Sequence, residues 1–184
     1  MDSLNESQRR ISNAFRIGTI SAVDYGAGMC RVKTDDNETD WLPWFIPRAG
    51  KTIEWSAPSV DEQVMVLCPE GVMNGGVALR GIYSSAYPAP AASESLHLTR
   101  HADGAVISYD TQSHALTATL PAGGTAVLTA DGGITLNGPL TVNGSATVSE
   151  TLEAKVDVVA AGKSFIGHAH LAVTAGTSIS GPPA

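Results

Sequence analysis

Basic side chains are scarce in this sequence, and those present are scattered along the chain. The 184 residues contain 11 Lys and Arg against 18 Asp and Glu, which gives a formal net charge of -7. Proteins that bind nucleic acid hold its phosphates on a concentrated basic surface, which this distribution does not offer. Nucleic acid is therefore not expected among the partners of this protein.

Long apolar stretches are missing as well. No run of about 18 apolar residues occurs, which is the length that a transmembrane helix needs. The first ten residues, MDSLNESQRR, lack the apolar core of a signal peptide. We therefore expect a protein that is made and kept soluble in a cytoplasm.

Cysteine is represented by Cys30 and Cys68, which stand far apart in apolar, strand-like runs. Small thiols pack well in cores, and the reducing potential of a cytosol disfavours disulfides. The sequence predicts two buried free thiols rather than a disulfide.

The residues that are present divide the chain into two parts of different composition. All three Trp and nine of the 11 Lys and Arg precede residue 101, whereas Thr, Ala, Gly, Val and Leu dominate after it. Between the two parts lies YPAPAASES, a Pro, Ala and Ser stretch typical of a linker. We predict an N-terminal tail (1–14), a first domain (15–86) and a linker (87–102), followed by the second part.

The first domain consists of short apolar or alternating runs that turn-forming residues separate, with no 3.6-residue periodicity over twelve positions. Five such runs within about 70 residues suit a small closed barrel of the OB type. The runs are FRIGTISAV, MCRVKT, DWLPWFI, EQVMVLC and GVALRGIYS.

The second part alternates more regularly, so that each predicted strand has one dry and one wet side. The dry side carries Leu, Ile, Val and Ala, and the wet side carries Thr, Asn and charged residues. The dry positions are Ile134, Leu136, Leu140, Val142, Ala146, Val148, Leu152, Ala154, Val156 and Val158.

Strand units of five or six residues give a single chain too little apolar surface to form a core. Three chains wound about one axis would join their dry sides and remove free strand edges. We therefore predict an all-β protein whose OB barrel is followed by an intertwined trimeric β-helix shaft over residues 103–162. A single-chain β-solenoid is the alternative, although the longer repeats and end caps that it normally needs are not found.

Two histidines, His168 and His170, lie in the C-terminal segment 163–184, which we predict to be a metal-binding apex. Residues i and i+2 of a strand project to the same side, so three chains would direct six imidazoles at the axis. Six nitrogens in threefold symmetry favour an octahedral ion, with iron preferred and nickel or zinc as substitutes. One ion per trimer is expected; the plain alternative is a pair of polar strand residues.

The other potential ligands lack the spacing of a metal site, and we expect His97, His101 and His114 to be solvated or packed. The acidic run from Asp35 to Asp40 does not match a calcium loop and is typical of a solvated hairpin turn. No nucleophile motif, HExxH motif or phosphate-binding glycine loop occurs. The sequence therefore predicts no enzymatic activity.

Three tryptophans, Trp41, Trp44 and Trp55, support an alternative function. They could stack oligosaccharide or single-stranded nucleic acid on the OB barrel, making it a binding module. The position of Trp41 and Trp44 in an apolar run and the acidic net charge favour packing in a core or a protein interface.

Several of these segments together resemble one known family. RIGTISAVDYGAGMCRVKT, DWLPWF, RAG, EQVMVLCPEG and GGVALRGIYS are similar, in order and spacing, to the N-terminal OB domain of the baseplate assembly protein V family. HAH followed by a tail ending in GPPA is similar to the apex of the same proteins. The family comprises the central tail spikes of contractile-tailed bacteriophages.

This resemblance implies a homotrimeric, membrane-piercing needle in the baseplate of the virion tail, assembled in the host cytoplasm. It implies that the N-terminal domain joins the baseplate hub protein and that the tip contacts the host outer membrane transiently. It also implies octahedral iron at the apex, held here by His168 and His170.

Overall fold

The computed structural model describes residues 2–167 and residue 176. The chain divides between Ala126 and Val127 into two compact units. Among the described residues, sheet is the main regular structure, with one α-helix, which agrees with the all-β prediction. The elements are α1 (Asp2–Ser12), β1 (Phe15–Asp24), β2 (Met29–Thr34), β3 (Asn37–Glu38), β4 (Leu42–Pro43), β5 (Gln63–Leu67), β6 (Val77–Leu79), β7 (Leu96–Arg100), β8 (Val106–Asp110), β9 (Ala115–Thr119), β10 (Val159–Ala160) and β11 (Lys163–Ser164).

The first unit is built on an antiparallel sheet in the order β3-β2-β1-β5-β6. β4 pairs with β2, and a parallel bridge joins Trp44, directly after β4, to Ala78 in β6. This bridge brings the two sides of the sheet together into a barrel. One face of the strands fills the core, whose buried residues are Ile20, Cys30, Val32, Leu42, Trp44, Val64, Val66, Cys68 and Ala78.

Gly18 lies in β1 where the backbone of β2 is close. A Cβ placed there would lie 2.5 Å from the carbonyl oxygen of Lys33 and 2.7 Å from side-chain atoms of Val32 and Thr34. Only glycine fits this approach. A bulge follows between Ile20 and Ala22, and such irregularities bend strands into barrels.

The predicted N-terminal tail contains helix α1, which no hydrophobic periodicity predicts. Glu6 accepts hydrogen bonds from Arg9 and Arg10, one helical turn away, with nitrogen to oxygen distances of 2.8 Å. These bonds lower the pKa of the Glu6 carboxyl to about 2. Gly71, at a φ of +73°, lets the backbone of Arg10 approach, and a Cβ there would be 3.1 Å from it.

A separate three-stranded antiparallel sheet, β7-β8-β9, completes the first unit. Its first strand, Leu96–Arg100, lies in the segment that the composition assigned to the linker, and β8 and β9 lie in the segment assigned to the shaft. Asp110 forms the β8–β9 turn by accepting the N–H of Gln112 at 2.8 Å.

The second unit contains one hairpin, β10–β11, among its described residues. Residues 127–158 form turns and irregular chain without strand pairing, so the trimeric shaft remains a prediction. Within the described ranges, no helix combines the length and the apolar character that crossing a membrane requires.

Candidate assembly surface

The dry positions of the predicted shaft are exposed to solvent in the single chain. Leu140 is 70% exposed, Leu152 73% and Val156 84%. Burying one side chain of this kind is favourable by a free energy of about 1.5 to 3 kcal/mol. The large exposed members of this set, which we call the apolar stripe, are Ile134, Leu136, Leu140, Val142, Val148, Leu152, Val156 and Val158.

The backbone beside the apolar stripe is also largely unpaired. Between residues 125 and 156, one backbone hydrogen bond joins described residues, from the N–H of Gly133 to the C=O of Ala130 at 2.9 Å. Backbone donors and acceptors that leave water need such partners. The segment thus offers both apolar side chains and unpaired backbone groups, and a second chain can satisfy both.

Glycines allow the segment to turn between its predicted strand units. Gly138 and Gly144 adopt φ values of +135° and +156°, and a Cβ at either position would meet no atom within 4 Å. Backbone conformation rather than crowding therefore favours glycine at these positions.

The β10–β11 hairpin leads from this segment toward the predicted apex. Val159 pairs with Ser164 and Ala160 pairs with Lys163. Ala161 and Gly162 both have positive φ, 50° and 77°, as a two-residue type I′ hairpin turn requires. His168 and His170 follow this hairpin in sequence but lie outside the described residues.

Asp157 and Ser164 organise the hairpin, and neither residue is among those predicted from sequence motifs. The Asp157 carboxylate accepts the N–H of Val158 at 2.7 Å and of Ile166 at 3.3 Å. Its hydrogen bond with the Ser164 hydroxyl and these backbone contacts lower the pKa of the Asp157 carboxyl. The Ser164 oxygen in turn accepts the N–H of Gly167 at 2.8 Å. An aspartate before a short hairpin was the sole signal of this network in the sequence.

The remaining histidines are dispersed over the first unit. His97 lies in β7, the backbone N–H of His101 donates to Ala105, and His114 has a φ of 56° in the β8–β9 turn. All three are exposed. Across residues 2–167 and residue 176, no three His, Cys, Asp or Glu side chains gather as a metal site would require.

The acidic run occupies the β2–β3 hairpin, as expected. Asp35, at a φ of 51°, lies in the turn, and Glu38 forms an ion pair with Arg31 at 2.9 Å. Thr39 is fully buried behind the turn; its hydroxyl accepts the N–H of Val32 and donates to the carbonyl of Asp40. The run thus belongs to the framework of the barrel.

The three tryptophans have different environments. Trp44 is 9% exposed and forms part of the core, whereas Trp55 is 63% exposed and meets the edge of Trp44 at 5.5 Å between ring centroids. The guanidinium of Arg31 lies 6.0 Å from the ring centroid of Trp41. Trp44 therefore has a packing role, and its burial removes it from any stacking platform.

Both cysteines are free and buried, as predicted. Burial raises the pKa of the Cys30 thiol to about 11 and also raises the pKa of Cys68. Neither thiol is activated for chemistry, because nucleophilic cysteines have lowered pKa values.

Comparison with known proteins agrees with this architecture. Residues 16–83 match the family model of the Type VI secretion system/phage-baseplate injector OB domain, which confirms the predicted OB domain. The Spike protein of Escherichia phage P2 is 42% identical over 134 residues, which are 72% of this chain and 62% of that protein. The chain thus covers about three fifths of the length of this relative. On this evidence the chain belongs to the baseplate assembly protein V family.

Proposed function

We propose that this protein is a structural component of a phage contractile tail, the central baseplate spike that pierces the host outer membrane during infection. The observation that carries the proposal is the apolar stripe beside an unpaired backbone, in a chain related to a phage spike protein. The work of such a protein is mechanical and needs stiffness rather than a reactive group.

The stiffness comes from three copies of the chain. When three stripes meet on one axis, the apolar side chains leave water and the extended backbones pair with neighbouring chains. The Thr and Asn residues of the opposite side then face solvent. Such a homotrimeric β-helix has no free strand edges along its length.

At the apex, His168 and His170 of each chain would hold one iron ion per trimer. The donor set suits this role, because six neutral imidazoles provide octahedral coordination without adding charge. Nickel or zinc could substitute for iron. The ion would supply a structural cross-link where chain ends otherwise fray.

The two ends of the molecule would have different partners. The OB domain would join the hub of the baseplate in the virion tail, after assembly in the host cytoplasm. The apex would contact the outer membrane only transiently, during penetration.

The trimer is tested by placing charge on either side of the shaft. Leu140→Asp puts a carboxylate into the apolar stripe, whereas Thr141→Asp puts the same group on the adjacent wet position. Sedimentation should give three times the chain mass of 19.0 kDa for the wild type and for Thr141→Asp, and a single-chain mass for Leu140→Asp. A monomeric wild type would refute the trimer and would favour a β-solenoid.

Elemental analysis of the same wild-type sample tests the apex. Two ligands per chain require about one ion per three chains, so one ion per chain would contradict a shared site. Binding to glycan arrays or oligonucleotides would instead support the OB domain as a binding module.

A further inference from the structure

The hydrogen bonds around Asp157 and Ser164 connect the chain before β10 to the chain after β11, nine residues further on. Asp157 stands before β10, and Ser164 is the last residue of β11. The Ser164 hydroxyl bonds the Asp157 carboxylate, and the Ser164 oxygen accepts the N–H of Gly167. The carboxylate also accepts the N–H of Ile166. We call this network the Asp157–Ser164 clasp.

The clasp is half-buried in a region where most side chains are exposed. Asp157 and Ser164 are the two partly covered residues of the hairpin segment 157–167. Phe165 is held across the hairpin, since its N–H donates to the C=O of Val158 at 2.9 Å. The backbone is therefore tied down at residues 165, 166 and 167 in succession.

Gly167 directly precedes His168, the first predicted ligand. A chain that is free at residue 167 must lose conformational freedom before its imidazoles can reach an ion, and this cost recurs in each of three chains. In a chain that is already fixed at residue 167, part of this conformational entropy is lost when the hairpin forms, before the metal binds. Pre-organisation of this kind lowers the free energy that binding has to supply.

We propose that Asp157 and Ser164 are positioning residues for the metal apex, which fix the backbone at Gly167 so that His168 and His170 of three chains converge on one ion. This inference rests on the proposed function, because it presupposes the shared metal site. It assigns the clasp a role in metal retention and none in trimer formation, which the apolar stripe provides.

The test compares variants that separate the hydrogen bonds from the charge. Ser164→Ala removes both hydroxyl contacts without changing charge, and Ser164→Thr restores a hydroxyl. Asp157→Ala removes the carboxylate, and Asp157→Asn keeps an acceptor oxygen while it removes the charge. Glu153→Ala is the matched control, since Glu153 is an exposed carboxylate on the wet side of the same segment.

Each full-length variant is loaded with iron(II), its mass is checked by sedimentation, and the rate of iron release to excess EDTA is measured. We expect trimers throughout. Ser164→Ala and Asp157→Ala should release iron at least tenfold faster than the wild type, because freeing one residue is worth roughly that factor and the cost recurs in three chains. Ser164→Thr and Glu153→Ala should release it at the wild-type rate.

Release from Ser164→Ala at the wild-type rate would overturn the proposal, and so would loss of the trimer in that variant. Faster release from Asp157→Ala and Asp157→Asn together with an unchanged Ser164→Ala would also overturn it, since charge alone would then explain the effect. A wild-type trimer that retains no metal would instead count against the proposed apex itself. The two failures are therefore distinguishable.

Discussion

Gly18 limits the distance between β1 and β2 in the barrel. The space that a side chain would need is occupied by the Lys33 carbonyl, which cannot move without disturbing the ladder between the two strands. Gly18 therefore affects the packing of the core through the spacing of β1 and β2, although it contributes no side chain to the core.

We expect Gly18→Ala to lower the free energy of unfolding of the OB domain by about 1 to 3 kcal/mol, the usual cost of overpacking. Denaturant titration followed by tryptophan fluorescence, to which the buried Trp44 contributes, measures the change. Gly50→Ala is the control, because a Cβ at Gly50 would meet no atom within 4 Å. Equal stability of the two variants would contradict the packing argument.

Asp157 and Ser164, the clasp residues, could not be predicted from the sequence, whereas the histidine pair could. His168 and His170 stand out because two ligands at i and i+2 share one side of a strand. Asp157 and Ser164 carry no comparable spacing, since their relation arises only when the hairpin turns at Ala161 and Gly162. Hydrophobic periodicity therefore cannot predict hydrogen bonds between residues that only a turn brings together.

At the scale of the element, alternation of apolar residues located the long strands of the barrel well. The runs predicted at 15–23, 29–34 and 62–68 correspond to β1, β2 and β5. In these strands the buried face alternates with the outer face, which is the pattern that alternation detects.

The shorter elements were less predictable, for identifiable reasons. The run DWLPWFI yields only the two-residue strand β4, since Pro43 has no N–H to donate. Helix α1 was not anticipated because its 11 residues carry charge pairs rather than an apolar stripe, and β7 was hidden beside a Pro-rich stretch. Local pairing and tertiary packing, rather than hydrophobic pattern, establish these elements.

The hairpin of β2 and β3 depends on the buried hydroxyl of Thr39. We expect Thr39→Val, which keeps the shape but loses the hydroxyl, to cost about 1 to 3 kcal/mol because the N–H of Val32 is left without a partner. Thr39→Ser keeps the hydroxyl and should cost less. Thermal unfolding of both variants measures the difference, and a Val variant as stable as the Ser variant would exclude this role.

At the scale of the whole molecule, single-chain patterning identified a surface that one chain cannot bury. The alternation of residues 134–158 specifies which side chains should meet but not how many chains supply them. The number three follows from symmetry arguments and from the family, not from the order of residues. The trimer therefore stays a proposal, whereas the OB domain could be predicted from the chain alone.

The apex and the shaft should be separable in the assembled molecule. We expect His168→Ala combined with His170→Ala to abolish metal binding and to leave a trimer, since the apolar stripe is unchanged. Elemental analysis and sedimentation of the same sample measure both properties. A monomeric double variant would show that the metal holds the chains together.

Acid should release the ion from the wild type below about pH 6, as imidazoles become protonated and cease to be ligands. The trimer should persist there. Retention of metal at pH 4 would indicate other ligands.

The amino-acid composition of residues 101–154 determines which protease can be used to monitor trimer formation. No lysine or arginine occurs between Arg100 and Lys155, so trypsin leaves these residues in one fragment whether the chains are separate or joined. Elastase, whose pocket accepts small side chains, meets suitable Ala and Val bonds throughout the same segment. We therefore expect elastase to cleave this segment in single chains and to cleave it more slowly in the proposed trimer. Trypsin on the same sample serves as the comparison, since its cleavage of the segment does not change.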